Sequence, residues 1–397
     1  MADPTSLASN RPWPPVADGS DGHRVGRRLA LWALPLLLLT AAACARIGNP
    51  EGWSGGVIVD DLLYMGTSKG EVIALERDSG KRKWRFELRG EESERAVYGT
   101  PTLAGETLYV GGYDGILYAL NLEGELKWQE RVGVSTDREG DPIVGIPAVA
   151  DGLVIVGSSD GNLYAFDVDD QSEEWRFSTG DKIWSTPVVV DGVVYFGSLD
   201  HSVYAVSLVD GSRVWEFQTK GAVAVGPVVV RGRVYVGSFD SVFYAIDAQT
   251  GQEAWRFTEA NNWFWGRPIA SEDAIYVPSL DGNLYALDLA SGGLLWTLET
   301  EGALVGSPAF VGDMIAVPSV DGRIRLARLT DGTVQDSCNI GEKIRTPLVQ
   351  HEGTIYFGAR DRSIRALRIK PNGNPDEVWV HFTDKDEPLP QGRAPAC

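Results

Sequence analysis

Residues 186–218 read TPVVVDGVVYFGSLDHSVYAVSLVDGSRVWEFQ, four short runs rich in Val, Tyr and Phe, parted by Asp191-Gly192, Asp200-His201 and Asp210-Gly211. Alternating apolar runs of this length predict β-strands, and Asp-Gly between them predicts hairpin turns, because such turns need positive φ. Asp-Gly recurs at 114, 160, 281 and 321, each time between a second and a third run. Outside the first 43 residues no stretch holds helical periodicity for more than a turn or two. The pattern predicts units of four antiparallel strands.

A tryptophan marks the same phase of each unit. Trp84, Trp128, Trp175, Trp215, Trp255, Trp296 and Trp379 recur at intervals of 40 to 47 residues if Asp336 is counted at the equivalent position between the last two. That makes eight copies, and a period near 40 with four strands per copy predicts an all-β, eight-bladed β-propeller. In the clearest copies, AIDAQTGQEAW at 245–255 and ALDLASGGLLW at 286–296, the Trp stands four residues after a Ser/Thr-Gly pair. The pair is expected to close the last hairpin of the blade, with Asp247 or Asp288 bonding the turn's amides. A buried indole covers about 200 Å², or roughly 5 kcal/mol gross. The seven tryptophans are therefore expected to dock blade on blade.

The beginning of the chain has a different texture. Arg24, Arg27 and Arg28 precede the apolar run Leu29–Ala43, and Cys44 follows. As a helix, 15 residues span about 22 Å, short of a hydrocarbon core of about 30 Å. This describes an export signal, 1–43, better than an anchor helix. The small residues ending at Cys44 resemble the lipobox of bacterial lipoproteins, with Ala41 where Leu is usual. That resemblance implies lipidation of Cys44 as the first mature residue; a plain signal or an uncleaved anchor is the alternative. The polar stretch before the arginines is long for a signal, so a start near Val25 stays open. The remaining division is a linker at 44–52, the propeller at 53–383 and a tail at 384–397.

Charge narrows the partners. The full chain carries −19, and without residues 1–43 it has 32 basic against 52 acidic residues, a net −20. Such a surface repels phosphate backbones, and no basic stripe offsets it, so nucleic acid is not an expected partner. Cysteines number three: Cys44, Cys338 and Cys397. With Cys44 lipidated, Cys338 and Cys397 form an even pair in an oxidising compartment, either a disulfide tying the tail to the body or two free thiols.

The motif Ala-x-Asp-x-x-Ser/Thr-Gly-x-x-x-Trp resembles the tryptophan-docking repeat of the PQQ-type propellers, over roughly 53–383. Several copies depart from it. Glu76 and Ser207 replace the Asp, Asn121 opens a shorter turn, and Asp170-Gln171 replaces the turn pair. Repeat 7 has Leu326, Arg328 and Asp336 for Ala, Asp and Trp. Arg325 and Arg365 take the place of the usual Tyr in repeats 7 and 8, and repeat 8 carries the insertion KPNGNPDE before Trp379. These two repeats have either drifted or present a more polar edge to a partner or to the tail.

Candidate chemistry is sparse. Quinoprotein dehydrogenases share the repeat and bind pyrroloquinoline quinone with calcium, but they resemble this chain without matching it. It has no adjacent cysteine pair, and the acidic turn 167–174 lacks calcium-loop spacing. The four histidines show no metal-ligand spacing, and P-loop and nucleophile-elbow motifs are missing. No enzyme, cofactor or metal is expected. Attention shifts to the loops between blades, where Trp184, Trp263, Phe264, Trp265 and Arg267 stand out and Arg345 occupies the same loop of repeat 8. Aromatic and Arg side chains in loops are common interface anchors. Equally, they fit a packed central plug.

A lipid-anchored eight-bladed propeller resembles the BamB-type lipoproteins of outer-membrane assembly. The resemblance implies a non-catalytic scaffold, attached to the envelope, that binds the barrel-inserting subunit. A propeller that binds a small molecule or glycan is the second reading, and a quinone-dependent dehydrogenase the third.

Overall fold

The computed structural model describes residues 54–90, 95–133, 141–370, 374–385 and 388. Cys44, Cys397, the leader 1–43, the whole linker 44–52 and most of the tail lie outside these residues. The described chain forms eight four-stranded antiparallel sheets, each in simple sequence order. They span 56–87, 102–131, 148–178, 188–218, 228–257, 269–299, 309–339 and 349–382, blades 1 to 8, in an eight-bladed β-propeller.

The first strands of neighbouring blades touch one another around the axis. The residue that leads into each of them packs against its equivalent next door. Gly55 lies against Thr100 and Pro347. The Ile146 amide donates to Thr186 Oγ1 at 3.1 Å, and Gly226 abuts Thr186. Similarly, the Arg267 amide donates to Ser307 Oγ at 3.1 Å. The result is a ring of short contacts that fixes how closely the blades converge.

Each sheet is covered on both faces, so the middle strands are apolar throughout. Val203, Tyr204, Ala205 and Val206, all in one third strand, are at most 6% exposed. The core is divided into eight slabs, each shared by two consecutive blades. Between them the indoles are seated. Trp175, Trp215 and Trp296 donate Nε1–H to the carbonyls of Leu208, Ala248 and Leu329 in the following blade, at 2.8, 2.8 and 3.0 Å. Trp84 does the same to Leu122 at 2.8 Å and Trp255 to Leu289 at 3.4 Å.

The glycine of the turn pair serves the preceding blade as much as its own. Gly251 has φ +72°, as the turn requires, and a Cβ built on it would stand 2.8 Å from Trp215. Gly124, Gly211, Gly292 and Gly332 meet Trp84, Trp175, Trp255 and Trp296 equally closely. Opposite each Trp on its own sheet lies a small residue, as Ala205 lies opposite Trp215. In every blade the pairing slips by one residue just beyond that point, as between Ala205 and Val206. Such a bulge re-aims the adjoining side chain.

Two junctions differ. Trp128 packs against Tyr109, with ring centroids 5.7 Å apart, and against the slab between blades 2 and 3. The corresponding turn of blade 3 has Gln171, at φ +63°, in the glycine position. Between blades 7 and 8 the indole is absent; Asp336 pairs with Leu326, a larger residue that occupies the slab. Arg325 and Arg365 form no exposed polar edge. Both are buried, Arg325 on Asp321 at 2.7 Å and Arg365 on Asp361 at 3.0 Å and Glu377 at 3.3 Å. Burial pushes the Glu377 carboxyl up, and Arg365 works against that.

Among the described residues no strand is exchanged where the ring closes. Trp379 of blade 8 donates to the Arg77 carbonyl of blade 1 at 2.7 Å and lies on Gly80. Leu63, Met65, Ile73 and Leu75 pack with Tyr356, Ile364 and Ala366 around it. Outside this slab Lys69 pairs with Asp384.

Gly192 shares the φ of Gly251 but has nothing within 4 Å of a built Cβ. Gly192→Ala is expected to cost about 1 kcal/mol of backbone strain. Gly251→Ala should cost about 1–3 kcal/mol more, because it displaces the indole. Urea unfolding of both variants measures the difference; equal losses would show that the turn conformation alone demands glycine.

Candidate functional site

The loops between blades share one face with the turns joining second and third strands. In blades 4 to 7 an aspartate of that turn ties the two together. Asp200 Oδ2 accepts from the Gly180 amide and the Tyr204 hydroxyl, both at 2.8 Å, and Oδ1 accepts from the Ser202 amide at 3.0 Å. Asp240 and Asp281 repeat the arrangement with Lys220 and Tyr244, and with Asn261 and Tyr285. In blade 7 Arg325 takes over the tyrosine's role on Asp321, while the Glu301 amide remains a donor. In blades 2 to 8 a backbone bond from the turn to the loop reinforces the contact, as from the Leu280 amide to the Trp263 carbonyl at 2.9 Å. The loops are therefore fixed at both the side-chain and the main-chain level.

On this scaffold the loop before blade 6, NNWFWGRP at 261–268, alternates between partly exposed and buried positions. Trp263, Trp265 and Arg267 fall on one side, Phe264 and Gly266 on the other. Phe264 is 1% exposed and packs on Phe243 at 5.7 Å. It is core, and its assignment to a binding loop is corrected: an extended segment that presents its odd members must bury its even ones.

Trp263 and Trp265 both stack on Phe239, at 4.7 Å and 13° and at 5.5 Å and 16°. Phe239 belongs to the 238–241 turn of blade 5, and its amide is held by the Ala222 carbonyl at 2.9 Å. Sequence reading passed over it. The available signal was its place between Ser238 and Asp240, where the neighbouring blades have Leu199 and Leu280. The three rings make a stack spanning the junction of blades 5 and 6.

The remaining candidates stand apart. Trp184, before blade 4, donates Nε1–H to Ser159 Oγ at 3.1 Å, with the Lys182 ammonium 5.9 Å from its ring centroid. Arg345 is half-buried in the loop before blade 8. Arg267 leaves the aromatic stack for the axial ring, where its Nη2 donates to the Pro227 carbonyl at 3.4 Å. Burial without a neighbouring charge holds its guanidinium below the usual arginine range. Cys338 is 1% exposed and disulfide-bonded; Cys397 lies outside the described residues. Among the described residues, no group of three or more His, Cys, Asp or Glu is placed to hold a metal ion.

A ring of tryptophan-docked, four-stranded blades with a rigid loop face defines the class, a β-propeller built from PQQ-like repeats. The chain belongs to the family of the outer membrane protein assembly factor BamB, whose family model matches residues 30–139, 132–241 and 238–395. It is 34% identical over 82 residues to the outer membrane protein assembly factor BamB of Salmonella typhimurium, 19% of this chain and 21% of that protein. The matched part is about a fifth of that relative's length. Among solved structures it is similar to BamB from Moraxella catarrhalis, with a TM-score of 0.65 at 19% identity, covering 77% of this chain and 93% of the other. It is also similar to the computationally designed Ika8 protein, with a TM-score of 0.67 at 15% identity, covering 85% and 98%. At these identities the structural likeness is one of fold.

The clamps make a pH prediction. Burial, then the Asp281 hydrogen bond, pushes the Tyr285 hydroxyl from 10.0 up to about 12. Between those values the unfolded chain has lost a proton that the folded chain keeps, so stability is complete below pH 10 and falls as pH rises toward 12. Absorbance titration at about 295 nm should show tyrosine ionising late and together with unfolding. Replacing Asp281 by Asn should bring the Tyr285 transition earlier.

Proposed function

We propose that this protein is an exported, lipid-anchored scaffold without catalytic activity, binding protein partners in the cell envelope during assembly of outer-membrane proteins. Family membership supports the class. The observation that carries the binding face is the Trp263–Phe239–Trp265 stack: three partly exposed rings on loops held by hydrogen bonds at both ends. Rings already ordered on a rigid support lose little freedom on binding, which is what concentrates affinity in aromatic anchors. The partner proposed is a barrel-assembly subunit. Trp184 and Arg345, on the same face in other loops, extend the contact area around the mouth of the ring.

The test is capture from detergent-solubilised envelope. Trp263→Ala with Trp265→Ala should lower recovery of a barrel-assembly subunit at least ten-fold while the thermal midpoint falls only slightly. Unchanged recovery would remove the stack from the interface, and a large fall in midpoint would assign the rings to the fold.

Attachment rests on Cys44. Cys44→Ala is expected to move the protein from the membrane pellet to the soluble fraction, since lipid chains supply the binding energy; continued sedimentation with membranes overturns lipidation. The partner proposed for the Cys338 disulfide is Cys397, which a non-reducing peptide map would show as one joined fragment.

A further inference from the structure

Among the described residues, the first strands and the ring leading into them carry a single formal charge. The eight first strands, reading GVIV, TLA, AVA, VVV, VVV, IA, AFV and VQH, contain no Lys, Arg, Asp or Glu. The ring leading into them is neutral as well, with Gly, Thr, Ile and Ser at the other seven positions. Arg267 is the exception. It has no ion pair among the described residues, although the chain has 19 more acidic than basic residues. The side chain is partly exposed, but its Nε is buried, and among the described residues Nε has no partner and the side chain makes one bond, the long one to the Pro227 carbonyl.

An arginine in such a place is costly. Taking a guanidinium out of water is repaid only by an opposite charge in good geometry, and a neutral carbonyl at 3.4 Å repays little. The two buried arginines of blades 7 and 8 show how this protein compensates the same group elsewhere, with Asp321, and with Asp361 and Glu377. At Arg267 the fold supplies no carboxylate, and the lowered guanidinium pKa expresses the same deficit. A planar fork of donors matches a two-oxygen anion.

The geometry points to an oxyanion-binding site at the axial ring, with Arg267 as the receptor for a carboxylate or phosphate group. This site is separate from the aromatic stack and does not depend on the scaffold reading. The first strands around it carry no charge of their own, and the low polarity strengthens the ion pair. Trp265, two residues away on the same side of the loop, provides a natural reporter.

The experiment titrates the full chain with sodium acetate and with inorganic phosphate, replacing sodium chloride so that ionic strength stays constant, and follows tryptophan fluorescence and thermal midpoint. Expected is a saturable fluorescence change and a rising midpoint with at least one of the two. The stronger anion identifies carboxylate or phosphate as the source. Arg267→Gln should weaken half-saturation at least ten-fold, and Arg267→Lys should fall between, keeping the charge but not the fork. Arg267→Met should melt higher than the parent without added anion and gain nothing from it. No saturable response to either anion overturns the proposal, and so does an Arg267→Gln half-saturation equal to the parent's.

Discussion

The seating of an indole on a glycine turn is the contact on which this structure depends. A four-stranded sheet of this size has two apolar faces and cannot bury either alone. The Trp of one blade supplies area and a hydrogen bond, and the glycine of the next supplies the recess. Three other features follow from it: the small residue across the sheet from each Trp, the bulge that turns the indole outward, and the aspartate that shapes the turn. The blade 7 to 8 junction supports this by its exception. Where Asp336 stands in place of the indole, the opposing position is Leu326, so volume comes from the other side of the same pair.

The repeat was legible because it is written in turn chemistry and period, which are local. Asp-Gly pairs and alternating valines located the strands, and the recurring Trp counted the blades. Direction was not legible. Nothing in the spacing tells that Gly251 receives Trp215 from the preceding blade rather than Trp255 of its own, since that depends on which neighbour the sheet faces. Arg325 and Arg365 suggested a polar edge because charged residues are normally outside. They are inside because each retains the tyrosine's task of donating to the turn aspartate.

The loop face was legible only in part, for a similar reason. An aromatic cluster in NNWFWGRP was plain, but sequence does not assign its members to sides. The extended backbone does: alternate residues separate Phe264 into the core and Trp263 and Trp265 onto the face. Phe239 is 24 residues upstream of Trp263 and enters only through the packing of blade 5 on blade 6. Arg267 was grouped with the aromatics by proximity in sequence, yet its position in the axial ring gives it an environment none of them share.

Closure without an exchanged strand has a consequence for the chain's order. Every blade is made from one continuous segment, and the eighth meets the first by the same indole, carbonyl and glycine used between most other pairs. Among the described residues the first and last strands therefore occupy no privileged place in the sheet hydrogen bonding. A chain whose termini were joined and reopened in another interblade loop would keep all eight sheets intact, and the wheel could part at one seam without unpairing a strand.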